Sequence, residues 1–517
     1  MLTKLKRREH SDTAALQPPK KRLRRLVKSR KLHIAVAALL VFHIWLHLAN
    51  PYAKTNFVQQ PYTTELRDGN INYTQHHSTF VLSDPLSDLL GYYRQGFLIV
   101  QNTFFGGQPA SGNTPKEIID HIHEVRFDPT KPYLISGDQF SVLYPRNLGV
   151  FYNQVLDPNT AHSQKDWENR QRIYLQSALF AIDGLSAAPT PRTTLIPIGP
   201  NMITATTVHP GDVGSDAVYG TLYALDKLST PNQSKDGHYR IATEKAAMRV
   251  VREKRIQLAT MVAKYVETVR DKKTKLVRTD IHPSSARDGV SRKSSFYDNV
   301  IFWKTLQLAN KLGVYHITDA ELSDLHQRIS KAFWNEKQGY YNNDRYDPSF
   351  TGDWLIGYVT GFFDLTNRQD RERTQRTIDY IRRHKVAEPF PLRYQVDSTA
   401  VKMPLVIKWF VPSYGADAIW SYWGAQYITL LTDMSEQTSD QSYRQDALRY
   451  VKKYNEAIVR DNGFAETFDP EGNFLRSGLF YKSIRITGWV VQYEHAIKQL
   501  EMTGSSRLLD SPKKYDK

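Results

Sequence analysis

The chain has 517 residues, of which 40% are hydrophobic and 12% aromatic, so it can bury one large core or several smaller ones. It contains no Cys, which excludes disulfides, zinc thiolate centres, iron–sulfur clusters and thiol catalysis. The net charge is +16, but twelve Lys or Arg and two acids in residues 1–31 contribute +10 of it and leave +6 for the other 486 residues. Because the body has no sustained basic groove, we expect no nucleic-acid partner.

The N-terminal region predicts a membrane anchor. Residues 1–31, with KKRLRR and two adjacent prolines, predict a disordered basic arm. Residues 32–49 (LHIAVAALLVFHIWLHLA) lack a formal charge and predict a transmembrane signal anchor, with the arm in the cytoplasm and the main domain extracellular or periplasmic. A cleaved signal peptide is the alternative, although no convincing small-x-small cleavage site follows. Residues 50–80, rich in Pro, Thr, Asn and Gln, predict a linker or stalk.

Residues 81–505 show a helical pattern, because apolar residues recur three and four positions apart. The predicted helices are Lys165–Leu185, Ser215–Leu228, Thr243–Arg270, Phe296–Leu312, Asp319–Phe333, Asp353–Phe363, Arg371–Arg383, Ala416–Leu431, Gln441–Arg460 and Ile484–Glu501. Strand-like runs are short, at Gly96–Thr103, Tyr133–Ser136 and Thr193–Pro197. The pattern predicts an all-α domain, a toroid of helical hairpins around one pocket, with a short strand-containing segment before it and a polar tail at 506–517.

Polar and aromatic residues concentrate in the loops that lead into these helices. The loops and their candidate residues are 137–149 with Asp138, Tyr144, Arg146 and Asn147; 284–303 with Arg287, Asp288 and Tyr297; 350–358 with Asp353 and Trp354; 412–423 with Asp417 and Trp420; and 461–475 with Glu466. Together they offer acids to move protons, donors for hydroxyl groups and flat apolar faces for sugar rings. This composition predicts a carbohydrate pocket.

Several of these residues also have a structural interpretation. Asp353 and Asp417 stand where an N-cap carboxylate would stand. Trp420 and Trp423 are three positions apart on one helix face, a spacing that is common in a core. Asp288 could be a solvated residue at a helix start. Both interpretations remain open for these positions.

Four segments resemble the glucoamylase-like branch of the six-hairpin glycosidases and its relatives. LYPRNLGVFYNQVLDP resembles the W-x-R-D or W-P-R-D segment and its helix, and ARDGVSRKSSFYDNVIFWKTLQLANKLG is similar to the central catalytic segment. GADAIWSYWGAQYITLL is similar to the segment that shapes the pocket in debranching-like, invertase-like and trehalase-like enzymes. NGFAETFDPEGNFL is similar to the C-terminal element that often carries the catalytic base. The motifs occur in family order over residues 130–500.

The resemblance implies an (α/α)6 barrel glycoside hydrolase that needs no cofactor or metal. Asp288 would be the general acid and Glu466 the general base of an inverting reaction, which places the two carboxyl groups about 6.5–9.5 Å apart. The resemblance further implies a sugar site that is shaped by Asp138, Tyr144, Arg146, Asn147 and Trp420. We expect additional substrate contacts from Arg287, Tyr297, Asp353, Trp354 and Asp417.

Two features of the sequence keep other functions open. Asn147 stands where the family has an acid, which leaves an inactive carbohydrate-binding or scaffold protein as one alternative. The modest positive charge of the body suits an acidic glycan, which leaves a polysaccharide lyase as another. Asp288 is next to Arg287, and a direct pair between them would oppose a protonated role. The sugar, its linkage and the oligomeric state do not follow from the sequence.

Overall fold

A computed structural model describes residues 30–48, 58–83, 85–105, 108–137, 140–207, 211–287, 289–397, 401–403, 408, 411–477, 481–505 and 507–509. The described chain is mostly helical, as predicted, with short strands. The helices are α1 Arg30–Leu48, α2 Pro85–Phe105, α3 Pro115–Arg126, α4 Pro145–Gly149, α5 Gln164–Ala187, α6 Ala217–Ser229, α7 Glu244–Glu253, α8 Arg255–Val269, α9 Phe296–Lys311, α10 Asp319–Phe333, α11 Ile356–Val359, α12 Arg368–Arg383, α13 Ser421–Thr438, α14 Gln441–Asp461 and α15 Val490–Met502. Two 3₁₀ turns lie at Pro158–Thr160 and Gly352–Leu355.

The strands are short and form sheets of two or three strands. They are β1 Tyr62–Arg67, β2 Asn70–Gln75, β3 Phe80–Leu82, β4 Thr194–Pro197, β5 Met202–Thr206, β6 Val213–Gly214, β7 Pro283–Ser284, β8 Trp334–Asn335, β9 Tyr340–Tyr341, β10 Ile419–Trp420, β11 Thr467–Phe468, β12 Arg476–Ser477 and β13 Tyr481–Lys482. The three-stranded sheet has the order β3-β5-β4, with β3 parallel and β4 antiparallel to β5.

The structure of the N-terminal region contradicts two predictions. Within the predicted stalk, β1 and β2 form a hairpin that packs on the body: Tyr62 bonds to Asp183, and Lys254 reaches the same carboxylate at 2.7 Å. The described part of that segment is therefore folded structure, not a linker. The predicted strand Gly96–Thr103 is wrong, because those residues lie inside α2. The apolar run alone did not separate a strand from a helix.

Other predicted boundaries shift for local reasons. Tyr133–Ser136 is not a strand, whereas the run at Thr193–Pro197 is confirmed by β4. The helix predicted from Ala416 begins only at residue 421, since Trp420 pairs as a strand with Thr467. The helix predicted from Ile484 begins at residue 490, because the preceding residues run extended beside the 464–468 segment. The single helix predicted over residues 243–270 is two helices, α7 and α8.

Six buried segments form a closed circuit of packed neighbours. In chain order they are 145–156, α6, α9, residues 352–359, α13 and α15, and each packs on the next. The circuit closes where Gln492 of α15 donates to the carbonyl oxygen of Phe151 at 3.2 Å. Phe151 also stacks on Trp489, with ring centroids 4.4 Å apart. Most residues of α9 and α13 are buried, including the polar side chains of Asp298, Asn299 and Gln426.

Between consecutive buried segments lie more polar helices with one apolar face. They are α5, the pair α7 and α8, α10, α12 and α14, while α3 precedes the first buried segment. Side-chain caps fix several of their starts: Ser163 accepts from the Asp166 amide, and Thr318 forms a capping box with Glu321. Each outer helix thus pairs with an inner segment, and the loops between them collect at the ends of the circuit.

Candidate active site

The site is centred on Glu466, in the loop between α14 and β11. The backbone of Glu466 is held on both sides: its amide donates to the Ile484 carbonyl at 2.9 Å, and its carbonyl accepts from the Ser421 amide at 3.1 Å. Ser421 is the first residue of inner helix α13. These bonds fix the Glu466 side chain at the end of the circuit where the inner helices begin.

The Glu466 carboxylate is 1% exposed and bonded to two tyrosine hydroxyls. Tyr414 donates to Oε1 at 3.0 Å, and Tyr481 donates to Oε2 at 3.1 Å. Tyrosine hydroxyls carry their proton at neutral pH and are donors here, and an ionised carboxylate is the stronger acceptor for them. The arrangement orients a carboxylate that can accept a proton from a third partner.

Aromatic and polar side chains from the first inner segment and from the loops around it line the pocket at this carboxylate. The lining consists of Ser136, Phe140, Tyr144, Arg146, Asn147, Phe151, Tyr414, Trp420, Glu466 and Trp489. Phe151, Trp420 and Trp489 pack on one another, and Trp489 lies 4.4 Å from Phe151 and 5.8 Å from Trp420 between ring centroids. The Trp420 indole is fixed by a 2.9 Å bond from Nε1 to the Tyr414 carbonyl. The pocket is small, about 20 Å³, and places aromatic rings beside a carboxylate, a combination that occurs in sugar sites.

Four residues predicted from the 137–149 and 412–423 loops line this pocket together with Glu466. Arg146 is buried, lies 4.8 Å over the ring of Tyr144, and donates from Nη1 to the Ser285 carbonyl at 2.7 Å. Asn147 donates to the Ser136 hydroxyl. Trp420 completes the set. The bond to Ser285 brings the 284–303 loop to the edge of the pocket.

Arg287 belongs to a neighbouring depression and not to the pocket lining. Nε donates to the Gly415 carbonyl and Nη2 to Gln395 Oε1, both at 2.8 Å, and the guanidinium lies 4.5 Å over the Tyr394 ring. Burial lowers the pKa of Arg287 to about 10. The guanidinium therefore holds the loop at Gln395 and the loop at Gly415 together by hydrogen bonds.

Asp353 forms a buried ion pair with Arg292. Arg292 Nη1 lies 2.6 Å from Asp353 Oδ2, and both side chains are 3% exposed. Tyr394 donates to the same oxygen at 2.9 Å, and Thr351 donates to Oδ1 at 2.7 Å. Burial alone would raise the pKa of Asp353, but the charges of Arg292 and Arg287 outweigh it and hold the pKa below its usual value. Asp353 caps no helix and does not line the pocket.

The remaining predicted residues lie elsewhere. Tyr297 is buried and donates to Asp216 at 3.1 Å, and Trp354 packs among core aromatics that include Phe350. Asp417 is half-buried before β10, where no helix begins, so its predicted capping role is wrong. None of these three lines the pocket. Asp138 and Asp288 lie outside the residues that the structure describes.

One cluster outside this pocket has donor atoms of the kind that bind metal ions. Those of His123, His162 and Glu494 lie within 4.8 Å of one another. However, Arg170 donates to His123 Nδ1 at 2.8 Å, so the proton of His123 is on Nε2, which lies 2.6 Å from Glu494. Burial alone would lower the pKa of His162, but Glu494 and Asp120 outweigh it and raise the pKa to about 10. These atoms form a hydrogen-bonded ion-pair network.

The residues that sequence reasoning missed are Tyr414, Tyr481, Trp489 and Arg292. Tyr414 and Arg292 stand inside segments that the motifs had already marked, but nothing in their spacing predicts a carboxylate partner. Tyr481 and Trp489 follow Glu466 by 15 and 23 positions, within the stretch predicted in part as helix. Their roles depend on strand β13 and on the irregular chain between it and α15, which the apolar pattern does not indicate.

No protein-family model matches the chain, and no curated protein matches it. Similar solved structures include a rhamnosidase from Klebsiella oxytoca with rhamnose bound, at 15% identity and TM-score 0.48, which covers 76% of this chain and 66% of that one. The cellobiose 2-epimerase from Spirochaeta thermophila has 10% identity and TM-score 0.47, covering 81% and 100%. The GH63 mannosylglycerate hydrolase from Thermus thermophilus has 14% identity and TM-score 0.43, covering 75% and 100%.

These neighbours belong to the group of (α/α)6-barrel enzymes that the sequence motifs resemble. The chain spans just under two thirds of the rhamnosidase. At TM-scores below 0.5, the likeness says nothing about the chemistry of this chain. That chemistry rests on its own residues.

Proposed function

We propose that this protein is a membrane-anchored glycoside hydrolase with an (α/α)6 catalytic barrel. Glu466 acts as the general base and Asp288 as the general acid of an inverting reaction on an oligosaccharide or glycoconjugate. The observation that carries the proposal is the buried Glu466 carboxylate, held by two tyrosine hydroxyls in a pocket with tryptophan walls. The closed circuit of six inner segments supports the barrel.

In this reaction Glu466 accepts a proton from a water molecule that attacks the anomeric carbon. The two tyrosine donors stabilise the ionised form and fix the direction of the carboxylate, which is what a positioned base needs. Trp420 and Trp489 hold the sugar ring by its apolar face, and Arg146 and Asn147 supply donors for hydroxyl groups. Breaking the glycosidic bond then requires an acid on the opposite side of the ring, about 6.5–9.5 Å from Glu466.

The neighbours of Asp288 support its assignment as that acid. Ser285, three residues earlier, accepts a hydrogen bond from Arg146 of the pocket. Arg287 donates to Gly415, and the adjacent Tyr414 donates to Glu466. The described hydrogen bonds of Arg287 go to Gln395 Oε1 and the Gly415 carbonyl.

The anchor and the domain division are part of the same proposal. Within the described residues, α1 is long and apolar enough to cross a membrane. The basic residues 1–31 precede it, which by the positive-inside rule puts them in the cytoplasm and the barrel outside or in the periplasm. We assign residues 32–49 to the anchor, the body to residue 505, and 506–517 to a polar tail.

The test is an activity assay with the full chain in detergent or nanodiscs. Aryl glycosides, trehalose and uronate polymers are the substrates, and NMR follows the anomer that is released first. We expect reducing sugar of inverted configuration, and a loss of about 10²–10⁴-fold in kcat for Glu466→Gln and for Asp288→Asn. Glu471→Gln is the matched control, because Glu471 is an exposed carboxylate in the turn that follows β11.

Three results would overturn the proposal. Full activity of Glu466→Gln would show that Glu466 is not the general base. Sugar binding without any product supports the scaffold alternative, and a new absorbance of an unsaturated uronate supports a lyase.

A further inference from the structure

Helix α2 has two faces of opposite character. Gly91, Arg94, Leu98 and Asn102 recur at helical spacing and are buried against the body. One outward stripe carries Leu89, Tyr93, Val100 and Phe104, which are 62%, 38%, 38% and 59% exposed. The spacing of four, seven and four positions keeps all four side chains on one line along the helix. A soluble surface does not ordinarily leave such a stripe uncovered.

The inward face of α2 lies on the candidate active site. Gln95 bonds to the hydroxyl of Tyr144, which lines the pocket. Asn102 donates to the Lys482 carbonyl at 3.3 Å, and Lys482 directly follows the Tyr481 that holds Glu466. At Gly91 an added Cβ would already meet Thr206 at 3.1 Å, so the helix packs closely on β5. Helix α2 is therefore packed tightly against the residues that line and support the pocket.

The outward stripe is continuous with the candidate membrane anchor. The ring centroids of Phe42 and Tyr93 are 5.6 Å apart, and those of His43 and Phe97 are 4.6 Å apart. His43 Nε2 also lies 2.6 Å from the Tyr93 hydroxyl. These anchor residues are five and six positions before the end of α1 at Leu48, which is about 8–9 Å along the helix axis. An amphipathic helix that lies in a membrane interface buries its apolar face to about 5–10 Å, the same depth.

We propose that α2 is an interfacial helix whose Leu89–Tyr93–Val100–Phe104 stripe is embedded in the outer surface of the lipid bilayer. The inference rests on the proposed anchor, since α1 sets which side of the body meets the membrane. Aromatic residues in the stripe suit the headgroup region, where their rings are stable. The candidate pocket is then held about one helix diameter, roughly 10–12 Å, from the lipid headgroups.

The absence of Cys from the sequence allows a direct test with single labels. Val100→Cys and Phe104→Cys in the full chain, each carrying a nitroxide, are reconstituted into vesicles of neutral and anionic phospholipid. Ile256→Cys is the matched control, because Ile256 is an apolar residue on the exposed face of α8. We expect the ratio of oxygen to nickel-chelate accessibility to be several-fold higher at positions 100 and 104 than at 256.

The outcomes separate the proposals. Water-like accessibility at both stripe positions in protein that resists alkaline extraction contradicts the interfacial helix while leaving the anchor intact. Water-like accessibility in protein that is extracted shows that the anchor itself is wrong. Label–label broadening that disappears on dilution with unlabelled protein shows that a second copy covers the stripe, which also overturns the inference. Glycosidase activity is measured on the same samples and tests the proposed function separately.

Discussion

Replacing Asp353 by Asn should cost about 3–5 kcal/mol of unfolding free energy, because it leaves a buried cation without its counter-ion. Arg292 lies 2.6 Å from Asp353 with both side chains 3% exposed, so water cannot take the place of the lost charge. Asn keeps the shape of the side chain and one acceptor for Tyr394, so the loss reports on charge and not on a cavity. A loss of this size is a large part of the roughly 5–15 kcal/mol that a typical protein has.

Equilibrium denaturation of the full chain in detergent measures this loss. Glu372→Gln is the control, since it removes the same charge from the exposed i,i+4 pair with Arg368, where no measurable change is expected. If Asp353→Asn loses less than about 1 kcal/mol, the ion pair does not hold the loop before α9 and the 352–359 segment together as the structure indicates.

The pH dependence of the same pair has a definite sign. The pKa of Asp353 is held below its ordinary value in the folded state, although burial alone would raise it. A depressed pKa means that the stabilisation is fully present above the unfolded pKa of about 3.9 and is lost as pH falls through the folded pKa. The difference in stability between the wild-type chain and Asp353→Asn should therefore be constant near neutral pH and shrink only in acid.

Three further outcomes are expected. Tyr481→Phe removes one donor to the buried Glu466 carboxylate, a bond worth about 1.5–3 kcal/mol, so the free energy of unfolding should fall by about that amount in denaturant titrations. In the activity assay kcat should fall as well, because one donor instead of two then orients the base. If Arg146 contacts the substrate as proposed, Arg146→Lys should raise KM more than it lowers kcat in steady-state assays, because a single ammonium cannot replace the planar guanidinium in the pocket. His162→Gln should destabilise the chain at pH 7, because the pKa of His162 is raised beside Glu494. A raised pKa means that the stabilisation is fully present only below the unfolded pKa of about 6.5 and is lost as pH rises through about 10. Thermal melts of both chains over pH 6–10.5 measure how the difference in stability disappears.

The helical period of the sequence was enough to identify most of the helices. The helix predicted at Phe296–Leu312 is observed at Phe296–Lys311, and Asp319–Phe333 is matched at both ends. These helices begin at side-chain caps, which are local in sequence and therefore visible in it. Glu466 was assigned as the base from the resemblance of NGFAETFDPEGNFL to a family element, and its catalytic role stays a prediction.

Boundaries failed where a distant partner decides the conformation. Residues 416–420 have helical spacing, but Trp420 is held extended by the strand at Thr467. Gly96–Thr103 has the composition of a strand, but its buried positions fit a helix that lies on β5 and the pocket loop. In both segments tertiary packing overrode local propensity.

The candidate site itself depends on the closure of the circuit. Phe151 and Trp489 stack although 338 positions separate them, and Gln492 fixes the contact by bonding to the Phe151 carbonyl. Arg146 and Asn147 share a pocket with Glu466 only because the first inner segment meets the last one there. The local sequence pattern can indicate each of these residues as a candidate, but only the closed circuit brings them together in one site. A substitution that removes the hydrogen bonds of Gln492 is therefore expected to weaken substrate binding, although Gln492 does not line the pocket.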